Sequence, residues 1–204
     1  MHSQAVYTSF GIPSKWQGTF SVVGGTIIMI YFGSIQLWPI ISIYVASYFY
    51  NINPSISYDF LFLVDTLQRL TMWIGSYLGV YLPTQKKCNP NLLIFMGGFV
   101  SLVCFYLTSK TTNLVLFVTL NSMYGLFAAI CYFVGLVTAW EWFPSDKGLV
   151  TGIQLGGFGL GSFVFGILAV HFVNPESLNP TIHDSVKQLS FYEMDVAGNV
   201  PYMI

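Results

Sequence analysis

The sequence predicts an all-α membrane protein with five transmembrane helices. Of its 204 residues, 54% are hydrophobic and only 7% are charged, whereas soluble domains carry about 25% charged residues. Seven Lys and Arg and eight Asp and Glu are too few to keep a soluble surface of this size dispersed. The charges also lie far apart and leave apolar stretches as long as the ~20 residues that cross a bilayer. These observations exclude a soluble globular protein and a disordered chain.

The charged residues mark the ends of the spans, because a charge at the centre of a bilayer costs about 2.5–3.5 kcal/mol. The first uncharged stretch is longer than one span needs, and Pro39 within it predicts one long, kinked helix. Two short spans joined by a turn are the alternative. Short connectors between the later spans predict antiparallel neighbours in a bundle. The predicted spans are residues 18–50, 59–82, 91–109, 114–140 and 149–172.

The composition changes at both ends of this set of spans. We predict an N-terminal tail over residues 1–17, a transmembrane bundle over 18–172 and an extramembrane loop or tail over 173–204. Basic residues accumulate on the cytosolic side of membrane proteins. An N-terminus on the inner side places four lysines there and two on the outer side. The predicted orientation is therefore N-terminus in and C-terminus out.

Several classes of function have no support in the sequence. A net charge of −1 provides no basic surface for nucleic acid. Cys88, Cys104 and Cys131 lie far apart and form no C-x-x-C pair. The three histidines lie in the tail regions or at a span end, and no Ser or Cys near them forms a recognisable catalytic order. We therefore expect no enzyme activity, no cofactor and no bound metal.

Asp65 and Arg69 are the only charged residues well inside a predicted span. They lie four residues apart, on one helix face, and can neutralise each other in an intramembrane ion pair. Three interpretations remain open. The pair faces the bundle as a structural contact, it belongs to a substrate or proton pathway, or it lies near the outer interface because the span ends elsewhere.

Glycine recurs every four residues along the fifth span. One row consists of Gly148, Gly152 and Gly156, and a second row of Gly157 and Gly161. Small residues at this spacing let another helix backbone approach closely in a membrane. A nucleotide-binding loop is disfavoured, because no strand precedes the glycines and no lysine lies among them. We predict that at least one row contacts a helix from outside this chain.

Residues 33–48 read GSIQLWPIISIYVASY, and residues 142–161 read WFPSDKGLVTGIQLGGFGLG. Both stretches resemble the major facilitator superfamily, in its oxalate/formate-antiporter-like and monocarboxylate-transporter-like branch. The second stretch is similar to the W-F-P-x-x-K/R-G-L-x-x-G and G-F-G-x-G patterns of that branch. Residues 33–48 are similar to its helix-one pattern, with Gln36 in place of the usual Tyr and Pro39 in place of Gly. The resemblance covers the first five of twelve helices. It implies the N-terminal half of a major-facilitator bundle without its sixth helix.

The resemblance implies carrier-type transport of a small monocarboxylate or related organic anion by alternating access between two halves. In such transporters helices one and four line the path, helix five lies between the halves, and the cations that hold the carboxylate lie in the second half. The expected partners are thus the lipid bilayer and a second half, a homodimer or other membrane subunits. The alternative is a transporter-derived structural subunit of a larger membrane complex, without transport of its own.

Polar and aromatic residues of the first, fourth and fifth spans are the candidates for the lining of the substrate cavity. Aromatic side chains can pack against a small carboxylate, and tyrosine hydroxyls can donate hydrogen bonds to it, although such a stripe is also typical of ordinary bundle core. The candidates are Tyr31, Gln36, Trp38, Tyr124, Tyr132 and Gln154.

Overall fold

The computed structural model describes residues 14–54, 56, 59–184 and 189–203. Most of the predicted N-terminal tail, residues 1–13, lies outside the described residues. The described part is a bundle of long helices followed by a small hairpin and two short helices. In chain order the elements are α1 (Ser14–Phe32), a 3-10 turn (Gly33–Leu37), α2 (Trp38–Ile52), α3 (Asp59–Thr84), α4 (Pro90–Lys110), α5 (Leu114–Trp142), α6 (Lys147–Val173), β1 (Ile182–Asp184), β2 (Leu189–Phe191), α7 (Met194–Ala197) and α8 (Val200–Met203).

The long helices have the length and surface of membrane-spanning segments. Among the described residues, four segments are long and apolar enough to cross a membrane: the run Trp16–Ile52, α4, α5 and α6. Large apolar side chains lie on the outside of the bundle, with Trp73 78% exposed and Phe62 77% exposed. An exposed apolar surface of this extent is typical of contact with lipid. The all-α membrane fold is confirmed, whereas α3 is long but more polar, and its crossing of the membrane stays a prediction.

The first apolar stretch forms one continuous helical run. The backbone remains right-handed helical at both ends of the 3-10 turn, at Phe32 and at Leu37. Pro39 stands in the first turn of α2. Because proline has no N–H and its ring collides with the carbonyl four residues earlier, an ordinary α-turn cannot be made just before it. The chain tightens into a 3-10 turn there, and the irregularity therefore lies ahead of the proline.

α5 lies at the centre of the bundle, packed mainly against α3 and α4, while α1 packs mainly against α6. α5 begins at a side-chain cap, in which the Asn113 Oδ1 accepts hydrogen bonds from the backbone N–H groups of Val115 and Leu116 at 2.9 and 3.1 Å. Such a cap satisfies N–H groups that have no partner in the first turn of a helix. This N-cap fixes the first turn of α5, the helix on which the interior polar residues lie.

The segment after α6 is more ordered than the loop that the sequence predicts. β1 and β2 pair antiparallel, and α7 and α8 follow. Phe191, Val196 and Val200 are buried, in contact with the ends of the long helices. The charges and prolines of this segment indicate a loop, but its few apolar residues are enough to bury one side of it against the bundle.

Candidate solute-binding site

A hydroxyl pair lies inside the bundle where the 3-10 turn faces α5. The Ser34 Oγ is 2.8 Å from the Tyr124 Oη, and the same Ser34 hydroxyl donates to the Tyr31 carbonyl at 2.9 Å. A serine hydroxyl has one proton to donate, so the Tyr124 hydroxyl is the donor in the contact with Ser34. Tyr124 is fully buried. The 3-10 turn is thus the part of the first helical run that reaches the interior of α5.

An amide pair lies one turn away on α5. The Gln68 Nε2 on α3 donates to the Asn121 Oδ1 at 2.8 Å, and Gln68 is 4% exposed. A second polar contact joins the same two helices, because the Thr71 Oγ1 donates to the Ser122 carbonyl at 2.7 Å. Buried polar groups persist where they are paired. These bonds fix the rotation of α3 against α5.

Both pairs line one cavity of about 40 Å³. A cavity of this volume holds a few water molecules but no organic anion. Among the described residues that line it, none carries a charge. The lining residues are Ser34, Ile35, Leu37, Trp38, Ile41, Gln68, Phe105, Thr108, Phe117, Asn121, Tyr124 and Ala169. The site offers hydroxyl and amide groups in an aromatic surround, which suits a small polar solute rather than a metal ion.

Three of the candidates from the sequence lie at or next to this cavity. Trp38 and Tyr124 line it. The Tyr31 ring lies edge-on to the Tyr124 ring with 6.4 Å between centroids, and its buried hydroxyl has no hydrogen-bond partner among the described residues. The Tyr31 hydroxyl therefore lies beside the hydroxyl pair of Ser34 and Tyr124.

The other three candidates lie elsewhere. Gln36 is exposed on the 3-10 turn, and Tyr132 is half-buried two turns further along α5, against Phe133. The Gln154 side chain is fully buried and neither of its amide atoms has a described partner. It lies against Gly25 of α1, where a side-chain carbon would collide with the amide. Half of the predicted cavity residues therefore lie at or next to the cavity, and Gln36, Tyr132 and Gln154 do not.

Asp65 and Arg69 form the ion pair that their spacing predicts, with 2.8 Å between the Arg69 Nε and the Asp65 Oδ2. The Arg69 and Asp65 side chains are 53% and 31% exposed, so the pair lies on the outer surface of α3. This placement argues against the interpretation of a pair facing the bundle interior. Gln68, between them in the sequence, turns inward instead.

The two glycine rows of α6 have different surroundings. Gly157 packs against Thr26, and Gly161 packs against the Ile30 backbone of α1. By contrast, a side-chain carbon at any glycine of the other row, Gly148, Gly152 and Gly156, would meet nothing within 4 Å. The second row is therefore used inside the chain, and the first row is bare. The prediction of a contact from outside applies only to the bare row.

The start of α6, within the stretch that carries the family resemblance, is joined to the end of α5 just before that stretch. The Trp140 Nε1 donates to the Thr151 Oγ1 at 3.0 Å, and the Lys147 Nζ lies 5.9 Å from the centroid of the Trp140 ring. A cation over an indole face is attracted by the ring electrons. Both contacts hold the short connector between the two helices in a tight turn.

Sequence reasoning missed several residues of the interior site, above all Ser34, Gln68, Asn121 and Thr108. None of these four residues carries a charge or an aromatic ring, the features that mark the candidates in the sequence. Amide side chains inside an apolar span are also expensive to expose to lipid. A survey of every polar residue within the spans therefore identifies Gln68 and Asn121 as candidates for a common interior contact.

Comparison with known proteins identifies transporters as relatives. The chain is 27% identical to the apicoplast pyruvate carrier 1 of Toxoplasma gondii over 82% of this chain and 37% of that protein. It is 33% identical to the monocarboxylate transporter 12-B of Danio rerio over 50% of this chain and 20% of that protein. It is 24% identical to the uncharacterized MFS-type transporter YhjX of Escherichia coli K12 over 83% of this chain and 41% of that protein.

The chain thus spans less than half the length of these curated relatives. No protein-family profile matches it, and no solved structure matches it. The relatives nevertheless agree with the resemblance seen in residues 33–48 and 142–161, and the apolar helices agree with a membrane location. The chain is therefore an integral, multi-pass membrane protein homologous to transporters of the major facilitator superfamily.

Proposed function

We propose that this chain is one half of a transporter that moves a small monocarboxylate, such as pyruvate, or a related organic anion by alternating access. The observation that carries the proposal is the uncharged hydroxyl and amide lining of the cavity between the 3-10 turn, α3 and α5. Hydroxyl and amide groups donate hydrogen bonds to carboxylate oxygens. The relatives named for pyruvate and monocarboxylates support the same class of solute.

A partner half supplies what this cavity does not contain. An anion buried without a counter-charge costs far more than hydrogen bonds alone return, and none of the described lining residues is a cation. In the resembling branch the cations lie in the second half. That half is either another chain or a further part of a longer one. The bare row Gly148, Gly152 and Gly156 gives α6 a smooth surface that suits a helix of the partner.

The described arrangement corresponds to a closed state in this proposal. A cavity of about 40 Å³ must enlarge before an organic anion fits. Separation of α1 and the 3-10 turn from α5 would open it, since few polar bonds join these elements. Tyr31 and Tyr124 would then present their hydroxyls to the solute.

Counterflow of labelled pyruvate in proteoliposomes tests the proposal. The chain, with the membrane proteins that co-purify in mild detergent, is reconstituted as wild type, as Tyr124→Phe and as Tyr77→Phe. Tyr77 is 66% exposed and stacks on Tyr81, so it is a matched control. We expect Tyr124→Phe to reduce the rate about tenfold, the effect of about 1.4 kcal/mol, and Tyr77→Phe to leave it unchanged.

The competing function is that of a structural subunit in a larger membrane complex. The small volume of the cavity, about 40 Å³, favours this alternative, because no organic anion fits it as it stands. A stable assembly that shows no uptake of pyruvate or lactate after reconstitution, in wild type and variants alike, would support the subunit and refute the transporter.

A further inference from the structure

The segment 189–203, here called the cap, is tied to the side of α2. The Tyr192 backbone N–H donates to the Ser47 Oγ at 3.0 Å, and the Asn51 Nδ2 donates to the Tyr192 carbonyl at 3.0 Å. The rings of Tyr192 and Tyr44 stack with 4.8 Å between centroids. Burial and the neighbouring Tyr44 hydroxyl raise the pKa of Tyr192 to about 12, so the Tyr192 hydroxyl is neutral at physiological pH. The cap is therefore held by neutral contacts at one helix.

The cap also covers the ends of α4 and α6. α8 contacts both helices, and the Asn199 Nδ2 donates to the carbonyl of Val173, the last residue of α6, at 3.2 Å. Val196 and Val200 are buried in the same apolar cluster as Trp38 and Phe117. Trp38 and Phe117 line the cavity, so the apolar side of the cap continues directly into the wall of the site.

The cavity lies close beneath this covered end. Thr108 lies two residues before the end of α4, and Ala169 lies four residues before the end of α6. Both residues share the cavity with Trp38. α2 continues for about 21 Å beyond Trp38 at a rise of ~1.5 Å per residue, and the Phe49 ring near its end packs against Phe117 in the first turn of α5. The cap packs beside this part of α2 and against the ends of α4 and α6, at the end of the bundle where the cavity lies.

We propose that the cap is a lid that closes the cavity at this end and must move away before solute exchanges on that side. Two hydrogen bonds at the Tyr192 backbone and one from Asn199 hold it to the long helices. Two ring stacks, of Tyr192 on Tyr44 and of Phe191 on Tyr50, and the buried Val196 and Val200 complete the described contacts. The purpose of the lid rests on the proposed transport function. Its opening can be measured without transport, from the access of a reagent to the cavity.

The experiment measures how fast a membrane-impermeant thiol reagent reaches the cavity. The reporter is Thr108→Cys, in a chain whose three native cysteines are replaced by alanine. Thr108 is buried, and among the described residues its hydroxyl bonds to the Cys104 carbonyl of its own helix, so the replacement is mild. Sealed vesicles are treated from each side separately, and labelling is followed by mass shift.

The lid is loosened by Ser47→Ala with Asn51→Ala, which removes both ties to Tyr192. The matched control is Ser122→Ala, because Ser122 donates only to the Val118 carbonyl of its own helix. We expect at least tenfold faster labelling on the cap side in the loosened variant, and no change in the control or from the opposite side. Asn199→Ala removes the hydrogen bond from the cap to Val173. It is the second variant if the first does not fold.

Equal labelling rates in wild type, loosened variants and control would overturn the lid, even where pyruvate counterflow is present. Cap-dependent labelling without counterflow would retain the lid and reject the transport function. The two proposals therefore fail on different measurements.

Discussion

The two glycine rows of α6 share one sequence pattern and have opposite surroundings. Gly161 lies against the Ile30 backbone, and the Ser162 Oγ on the same side of the helix donates to the Gly33 carbonyl at 2.9 Å. Gly156 and its row face open space. Glycine at a spacing of four thus shows that a backbone can approach, but it does not identify which backbone. The neighbouring hydroxyl distinguishes the row that the chain itself covers.

The largest effect is expected at the covered row. Gly161→Leu would force α1 and α6 apart, because even a methyl group at Gly161 would overlap the Ile30 carbonyl. Overpacking against backbone costs about 3 kcal/mol or more. The measurement is the free energy of unfolding in mixed detergent micelles, with Gly152→Leu as the matched control. Equal stability of the two variants would show that the contact between α1 and α6 does not form.

At the bare row we expect an effect on association with a partner helix rather than on stability. A side-chain carbon at position 156 would have no described atom within 4 Å, so Gly156→Leu should change the free energy of unfolding by less than about 0.5 kcal/mol. A partner helix would be displaced by the added side chain. The measurement is the mass of the purified particle beside that of wild type. A wild-type monomer, without a co-purifying membrane protein, would argue against both the half-transporter and the subunit.

Gln154 lies on the covered side of α6 but carries a polar group without a described partner. Gln154→Met keeps the length of the side chain and removes both unpaired atoms. We expect a gain in unfolding free energy of about 1–2 kcal/mol. Gln36→Met, at an exposed position, is the control and should gain nothing. A loss of stability at position 154 would reveal a hydrogen bond that the structure does not contain.

The smallest effect is expected at the ion pair of α3. Asp65→Asn, Arg69→Gln and the double variant form a cycle whose coupling energy should stay below about 1 kcal/mol, because the pair is exposed near the start of α3, where the outer-interface interpretation puts it in water rather than in lipid. A pair buried between helices would instead lose several kcal/mol when one partner is neutralised. Unfolding of all three variants in the same detergent decides between these interpretations.

Composition and charge spacing were enough to predict the helical class and the apolar helices, because lipid tolerates few alternatives. The glycine pattern predicted close helix contact but not the partner. Gln68 and Asn121 were missed because each is an ordinary polar residue until the fold brings them together at 2.8 Å. The fold of the cap was also missed, since its buried apolar residues, Phe191, Val196, Ala197 and Val200, are few among polar neighbours. Contacts between distant segments leave little local pattern.

The continuity of the first helical run has a consequence for its position in the bilayer. From Trp16 to Ile52 it has 37 residues and a length of about 55–60 Å, at ~1.5 Å per α-helical and ~2.0 Å per 3-10 residue. To fit inside a hydrocarbon layer of ~30 Å it would have to incline by about 60°, beyond the 0–40° range of transmembrane helices. Part of the run therefore stands outside the hydrocarbon. The C-terminal part of α2 is suited to that position, because Ser47 and Asn51 form hydrogen bonds with the cap there and need not face lipid.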